Sequence, residues 1–463
     1  MIEVRTPESF RSITIMITDF TKEHPDKTLW RFWIPMMLSV MFQQIYNIAD
    51  SMIAGKFAGE DALAAVGASY PITIIFMAFA VGMNLGASVV VSRLFGAGDR
   101  KGVKRAVTTA FVSSLGLAAV LTVFGYFFSS NMMEWIHTPQ NIMADGILYL
   151  KIYVFGMIFL MLYNVCTGVF TALGDSKTPL HFLLGSSAGN IILDLIFVAQ
   201  FHWGVAGVAW ATFIAQGISA VLCFIYIVKK FPILHLKKEN FRFSLPACGK
   251  LMALGVPMAL QFSITAIGTI IVQGAVNVYG EDYMAGFSAA AKIQNVICTV
   301  FVAFGATIAT YVGQNWGAGK VDRVRQGVRC TQIMILAYSV IAMILVFFFS
   351  KYLTYLFISP SETKVIEVSV LYFHTVFWCY PFLGSIFLYR NTLQGLGYGL
   401  VPMLGGVFEL AARSAIVVLV AGKTSFAGVC LSDPAAWISA LIPLIPYYIY
   451  VTRKWKKQGK IAM

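Results

Sequence analysis

From residue 31 to residue 452 the chain is a succession of apolar runs. Each is long enough to cross about 30 Å of hydrocarbon at about 1.5 Å per residue. They fall at roughly 31–55, 67–94, 104–129, 143–171, 178–200, 204–228, 249–278, 284–314, 325–349, 364–394, 399–421 and 433–452. In lipid the backbone must satisfy its own hydrogen bonds, which leaves only helices and closed barrels. These runs are continuous rather than alternating in ten-residue pieces, so they read as twelve transmembrane helices and not as a barrel. Only 12% of residues are charged, against about 25% in a soluble domain, too few to clothe a water-soluble surface. The expected class is all-α integral membrane, with the lipid bilayer as its solvent.

The net charge of +13 raises the question of a nucleic-acid partner, and the placement of the basic residues argues against one. One side collects Arg5, Arg11, Lys22, Lys27 and Arg31 before the first span and Arg93, Arg100, Lys101, Lys104 and Arg105 after the second. The same side takes Lys177 after the fourth span, and Lys229, Lys230, Lys237, Lys238, Arg242 and Lys250 between the halves. Lys320, Arg323, Arg325 and Arg329 follow the eighth span, and Arg453, Lys454, Lys456, Lys457 and Lys460 follow the last. The opposite side has Lys56, Lys151, Lys351, Lys364 and Lys423. By the positive-inside rule both termini are expected in the cytoplasm. Residues 1–29 lack an apolar core with a cleavage site, so no signal peptide is expected. The seven cysteines are scattered without metal-binding spacing, the six histidines are isolated, and P-loop and HExxH motifs are missing. Neither an enzyme nor a cofactor is expected.

The chain repeats itself. FAGEDALAAVGASYPI at Phe57 returns as VYGEDYMAGFSAAAKI at Val278, and RLFGAGDRKGVKRAV at Arg93 returns as QNWGAGKVDRVRQGV at Gln314. LGDSKTPL at Leu173 is echoed by LGYGLVPM at Leu396, and Pro35 by Pro257. Six helices per unit is an even number, so both copies enter the membrane from the same side and the repeat is parallel. The expected organisation is a cytoplasmic segment 1–30, a six-helix lobe 31–228, a basic linker 229–248, a second six-helix lobe 249–452 and a basic tail 453–463. Such halves facing a central cleft suit a transporter that works by alternating access.

The segments FQQIYNIADSMIAG in the first span, the two GAG turns, TALGDSKTPL, NIILD in the fifth span and GVAGVAWAT opening the sixth resemble those of the MATE (multidrug and toxic compound extrusion) family. The resemblance covers nearly the whole chain and is nearest to the DinF-like and MepA-like bacterial branch. It implies two V-shaped lobes and a monomeric antiporter in the cytoplasmic membrane of a prokaryote. Such an antiporter exports small amphipathic, often cationic compounds in exchange for H⁺ or Na⁺. In the NorM-like branch acids of the seventh and tenth spans join the cation site; here Thr265 stands at the first of those positions and the tenth span has no interior acid. The alternative within the broad fold is a flippase for lipid-linked oligosaccharide or peptidoglycan precursor, which calls for a basic, phosphate-binding cleft.

An ionisable group at mid-membrane costs about 2.5–3.5 kcal/mol on insertion scales, so each one requires a reason. Asp50 lies about 28 Å along its helix from Arg31, in the outer half of the membrane. Gln43, Asn47 and Asp50 are spaced i, i+4, i+7 on one face, and Asn190 and Asp194 are i, i+4 on the fifth span. Two carboxyls and two amides that converge can hold Na⁺ at Asp50, Asp194 and Asn190, or keep one carboxyl protonated. They can also simply tie helices together. The resemblance adds Tyr149 and Thr212 to the cation-coupling set of Gln43, Asp50, Asn190 and Asp194. In the second half Glu409 and Arg413 are i, i+4 in the order that favours an intrahelical pair, and are otherwise candidates for substrate or gating. Lys292, inside the eighth span, can snorkel, pair with an acid of the first lobe or meet substrate.

The charge bias gives a test of orientation. In a cysteine-free background, Gln140→Cys should label from outside intact cells and Asn240→Cys only after the inner face is opened; the reverse pattern inverts the topology.

Overall fold

A computed structural model describes residues 18–230, 234, 242–420 and 426–458. The N-terminal segment, the linker at 229–248 and the basic tail therefore lie partly outside the described residues, Arg5, Arg11, Lys237, Lys238, Lys423 and Lys460 among them. Every regular element described is helical: α1 Pro25–Ile53, α2 Glu60–Gly96, α3 Arg100–Trp135, α4 Gln140–Phe155, α5 Met157–Ala172, α6 Lys177–Asp194 and α7 Gly204–Lys230 in the first half. The second half has α8 Leu245–Asn277, α9 Glu281–Gly317, α10 Val321–Thr354, α11 Thr363–Val376, α12 Tyr380–Gly395, α13 Leu400–Val420, α14 Phe426–Cys430 and α15 Ser432–Lys457.

Among the described residues ten helical stretches are long and apolar enough to cross a membrane, and α4 with α5, bent by 46°, makes an eleventh. The 29-residue α1 has the length of a further span, but Gln43, Gln44, Asn47 and Asp50 make its C-terminal half more polar. The expected single span at 143–171 is thus a broken one, turning at Gly156 between α4 and α5, and 364–394 is interrupted at Phe377–Cys379 between α11 and α12. The chain is an all-helical, multi-pass membrane protein.

The sequence repeat is carried into the backbone. α2 and α9 are each 37 residues long and α5 and α12 each 16, with their ends at matching repeat positions. The turns match too. Gly98 (φ 73°) pairs with Gly319 (φ 71°) and Gly174 (φ 85°) with Gly397 (φ 87°), a left-handed conformation that glycine adopts without steric cost. At each of these helix ends the same closing bond recurs: Asp99 N–H to Leu94 O, Lys320 to Asn315, Asp175 to Phe170 and Tyr398 to Leu393. These bonds satisfy carbonyls that the last helical turn would otherwise leave bare.

The described residues form two compact units, those within 1–23, 34–259 and 317–319 in one and those within 24–33, 260–316 and 320–463 in the other, so α1 and α8 contribute to both. In the first unit Phe76, Met83, Phe111, Met161, Phe170 and Ile227 are buried together. Here α2 meets the start of α8 at backbone distance: a Cβ on Gly82 would lie 2.3 Å from the Gly255 carbonyl oxygen, and one on Gly86 2.7 Å from that of Leu251. Small residues one turn apart let two helices touch where apolar burial alone supplies no drive, since the surrounding lipid is as apolar as leucine. In the second unit Phe301, Phe304, Tyr311, Phe373 and Tyr380 are buried. Facing outward are large apolar side chains, Val120, Val123 and Phe127 on α3 and Ile333, Ile341 and Phe348 on α10, a surface suited to acyl chains.

The α2–α8 contact predicts an asymmetry between two glycine substitutions. Gly82→Val should cost the protein about 3 kcal/mol or more, read as a lower melting temperature and less monodisperse protein in detergent. Gly116→Val, whose Cβ meets nothing within 4 Å, should melt close to wild type.

Candidate functional site

The polar residues of the first unit gather where α1, α4, α6 and α7 approach. α6 presents Asn190 and Asp194 one turn apart, 2% and 1% exposed, and is succeeded by a π-helical turn, Leu195–Gln200. Half-buried Asp50 on α1 lies close enough to Asp194 for the two carboxyls to interact directly. A bond between two carboxyls uses a proton held by one of them; with that proton gone, the same oxygens face each other as a site for a cation. Tyr46, one turn before Asp50, donates its phenol to Asn190 Oδ1 at 2.5 Å and is also hydrogen-bonded to Thr212 of α7. Tyr149 of α4 lies close enough to both carboxyls to feel their charge. A cavity of about 20 Å³ lined by Tyr149, Tyr153, Thr212 and Gln216 opens beside the group, room for about one water. A wider groove of about 370 Å³ between α5 and α7 is lined by Phe159, Phe213, Ile218 and Leu222 and carries no chemistry.

Of the residues expected here, Asp50, Asp194, Asn190, Tyr149 and Thr212 are brought together. Gln43 and Asn47 are exposed, and Asn47 donates to Gln44 at 3.2 Å. Helical spacing puts Gln43, Asn47 and Asp50 on one broad face, but the stripe of α1 turned toward α6 is centred on Tyr46 and Asp50. Tyr46 is the residue the sequence reading passed over, although its i, i+4 relation to Asp50 was available. The oxygen donors of the group (two carboxyls, an amide, a phenol and a hydroxyl) are hard ligands of the kind that suit an alkali cation. Among the described residues no cluster of three or more His, Cys, Asp and Glu side chains converges.

The second unit holds a different arrangement. The expected Glu409–Arg413 pair within one helix gives way to two pairs between helices. Arg390 of α12 meets Glu409 Oε1 at 2.5 Å, and Arg413 Nη2 meets Asp433 Oδ1 of α15 at 3.1 Å. Thr265 adds a hydroxyl to Glu409 Oε2 at 3.4 Å, and Tyr372 donates to Asp433 Oδ2 at 2.7 Å. The physical reason is that Arg390 and Asp433 are themselves largely shielded from solvent, and a charge left there unpaired is far costlier than an intrahelical bond forgone. Lys292 is exposed, its ammonium 5.6 Å from the ring centroid of Phe357.

Comparison with known proteins accords with this architecture. Over 385 residues, 82% of this chain and 84% of the relative, it is 29% identical to the probable multidrug resistance protein YpnP of Bacillus subtilis (strain 168). It is 26% identical to the probable multidrug resistance protein YoeA of the same organism, over 95% of this chain and 96% of that one. Among solved structures, a multidrug resistance MATE family transporter of the MOP superfamily in an outward-facing conformation shares the fold with a TM-score of 0.89. That match is 20% identical and covers 96% of this chain and all of the other. The MatE family model matches twice, at residues 35–196 and 257–438, once in each half of the repeat. The chain belongs to the MATE family of membrane transporters.

Proposed function

We propose that this protein is a secondary active multidrug antiporter, exporting amphipathic, often cationic compounds in exchange for H⁺ or Na⁺, with the Asp50–Asp194 pair as its coupling site. The observation that carries the reading is the close approach of two carboxyls on two different helices, Asp194 buried and Asp50 half-buried. A helix tie could be made by amides at far lower cost, so two acids at one place argue for a negative charge that is used. The names of the B. subtilis relatives support the multidrug assignment.

In this reading the pair is a two-state element. With a proton shared, or a cation held by Asp50, Asp194 and Asn190, α1 and α6 are drawn together; with the ion gone, repulsion between the carboxylates favours their separation. The two acids titrate as a unit. Tyr46, Thr212 and Tyr149 supply the neutral oxygens that orient the carboxyls. An ion that binds one state better than another shifts the balance between inward- and outward-open forms, and a gradient of that ion drives export. The protein works in the cytoplasmic membrane of a prokaryote with both termini inside, as a monomer with one lobe at 31–228 and the other at 249–452.

Efflux of a fluorescent cation from proteoliposomes, driven separately by a pH gradient and by a sodium gradient, tests function and ion together. Export under neither gradient overturns the reading. Asp50→Asn should lower gradient-driven export at least about tenfold while leaving substrate binding and melting temperature near wild type, because an amide can neither exchange a proton nor offer a cation negative charge. Asp194→Asn should be milder. Wild-type exchange by Asp50→Asn places coupling elsewhere.

A further inference from the structure

The register of the two halves extends into the candidate site. Pro35 and Pro257 align α1 with α8, LGDSKTPL and LGYGLVPM align α6 with α13, and VAGVAWAT at 205–212 aligns with FAGVCLSD at 426–433. The matched starts of α4 and α11 and of α5 and α12 align those helices in turn. In this register both acids of the first unit are lost from the second: Asp50 corresponds to Val272 and Asp194 to Val417. Tyr149 corresponds to Tyr372, a tyrosine kept. Thr212 corresponds to Asp433 and Asn190 to Arg413, so one neutral position has gained an acid and another a guanidinium. Tyr46, which reaches Asn190 in the first unit, corresponds to Gly268.

The contacts agree with the register. Gly268 lies directly against Arg413: a Cβ there would sit 3.3 Å from both Arg413 Cδ and Nη1. Removal of the tyrosine side chain therefore leaves the space into which the arginine folds. Arg413 meets Asp433, and the retained Tyr372 donates to the other oxygen of the same carboxylate. Arg413 is buried, and among the described residues its Nε and Nη1 have no hydrogen-bond partner, so a single nitrogen makes the contact. What the site takes from the side chain is a positive charge more than a set of hydrogen bonds. The first unit's site holds two carboxyls and requires a proton or cation from outside, whereas the corresponding site of the second holds one carboxylate and its own cation.

We propose that Arg413 is a built-in cation. Its guanidinium occupies, in the second unit's copy of the site, the place that an exchangeable ion takes in the first, so ion exchange is confined to the first half of the chain. This rests on the coupling role given above to Asp50 and Asp194, but its test uses no gradient and no transport, so the two readings fail separately. Vacating the position should turn Asp433 and Tyr372 into a site for a free cation.

The experiment is the melting temperature of full-length Arg413→Ala in detergent, measured in choline chloride and again with Na⁺, K⁺ or methylguanidinium at equal ionic strength. In choline it should melt about 5 °C or more below wild type, because Asp433 is left buried without its partner. At least one of the small cations should restore half or more of that loss, while wild type is unaffected by the exchange of salts. Arg413→Lys, which keeps a tethered charge, should melt near wild type and decides the matter where the alanine variant does not fold or is not rescued. Rescue of the alanine variant or retention in the lysine variant supports the proposal; absence of both overturns it, as does an alanine variant that melts with wild type in choline.

Discussion

Charge held away from water must find an opposite charge, a proton or an ion, and the interior of this protein is organised by how each half meets that demand. In hydrocarbon the penalty for an ionised side chain is large enough that every buried Asp, Glu and Arg needs an identified partner. In the second unit the demand is met internally, Arg390 with Glu409 and Arg413 with Asp433. In the first unit half-buried Asp50 and buried Asp194 lie against each other. Two carboxylates in contact repel, so such a pair calls for a proton or a cation between its members. The apolar packing of the first unit is centred elsewhere, on Phe, Met and Val side chains of α2, α3, α4, α5 and α7.

Much of this was legible in the sequence because the membrane writes in coarse letters. Each helix has to be apolar for about 20 residues, so the spans read directly, and the left-handed turns that close them require glycine, so Gly98 and Gly319 mark the repeat as clearly as any alignment. The bend between α4 and α5 was not legible. A run of apolar residues has the same composition whether it is straight or broken, and Gly156 looks like any small residue in a span. The polar C-terminal half of α1 was visible as composition, but which stripe of it turned inward was not. Spacing identifies residues that share a face; it does not say where the neighbouring helix touches that face, and so Gln43 and Asn47 were drawn into the candidate site while Tyr46 was left out.

The buried charges of the second unit were hidden for a related reason. Glu409 and Arg413 are four residues apart, and local spacing makes them look self-sufficient. Asp433 stands in the first turn of α15, where an acid ordinarily reads as favourable to a helix start. Its contact with Arg413 and Tyr372 comes from tertiary approach of α13 and α11, which only the fold supplies. One signal was present all the same: AGV in VAGVAWAT and FAGVCLSD sets Thr212 level with Asp433, and reading polar residues pairwise across the repeat would have drawn attention to both.

What the two halves share and what they do not share then have separate physical explanations. The shared features, paired helix lengths, left-handed glycines and the closing bonds at helix ends, are those that let each helix of a six-helix unit end with its last carbonyls satisfied. The features that differ are side chains in the interior, where a change of charge is tolerable only if its neighbour changes with it. Asparagine to arginine at 413 is accompanied by tyrosine to glycine at 268, which makes room, and by threonine to aspartate at 433, which supplies the opposite charge. The loss of both first-half acids, to Val272 and Val417, removes the negative charges that would otherwise overbalance the site. One scaffold thus carries both a self-neutralised interior and an interior with an acid pair.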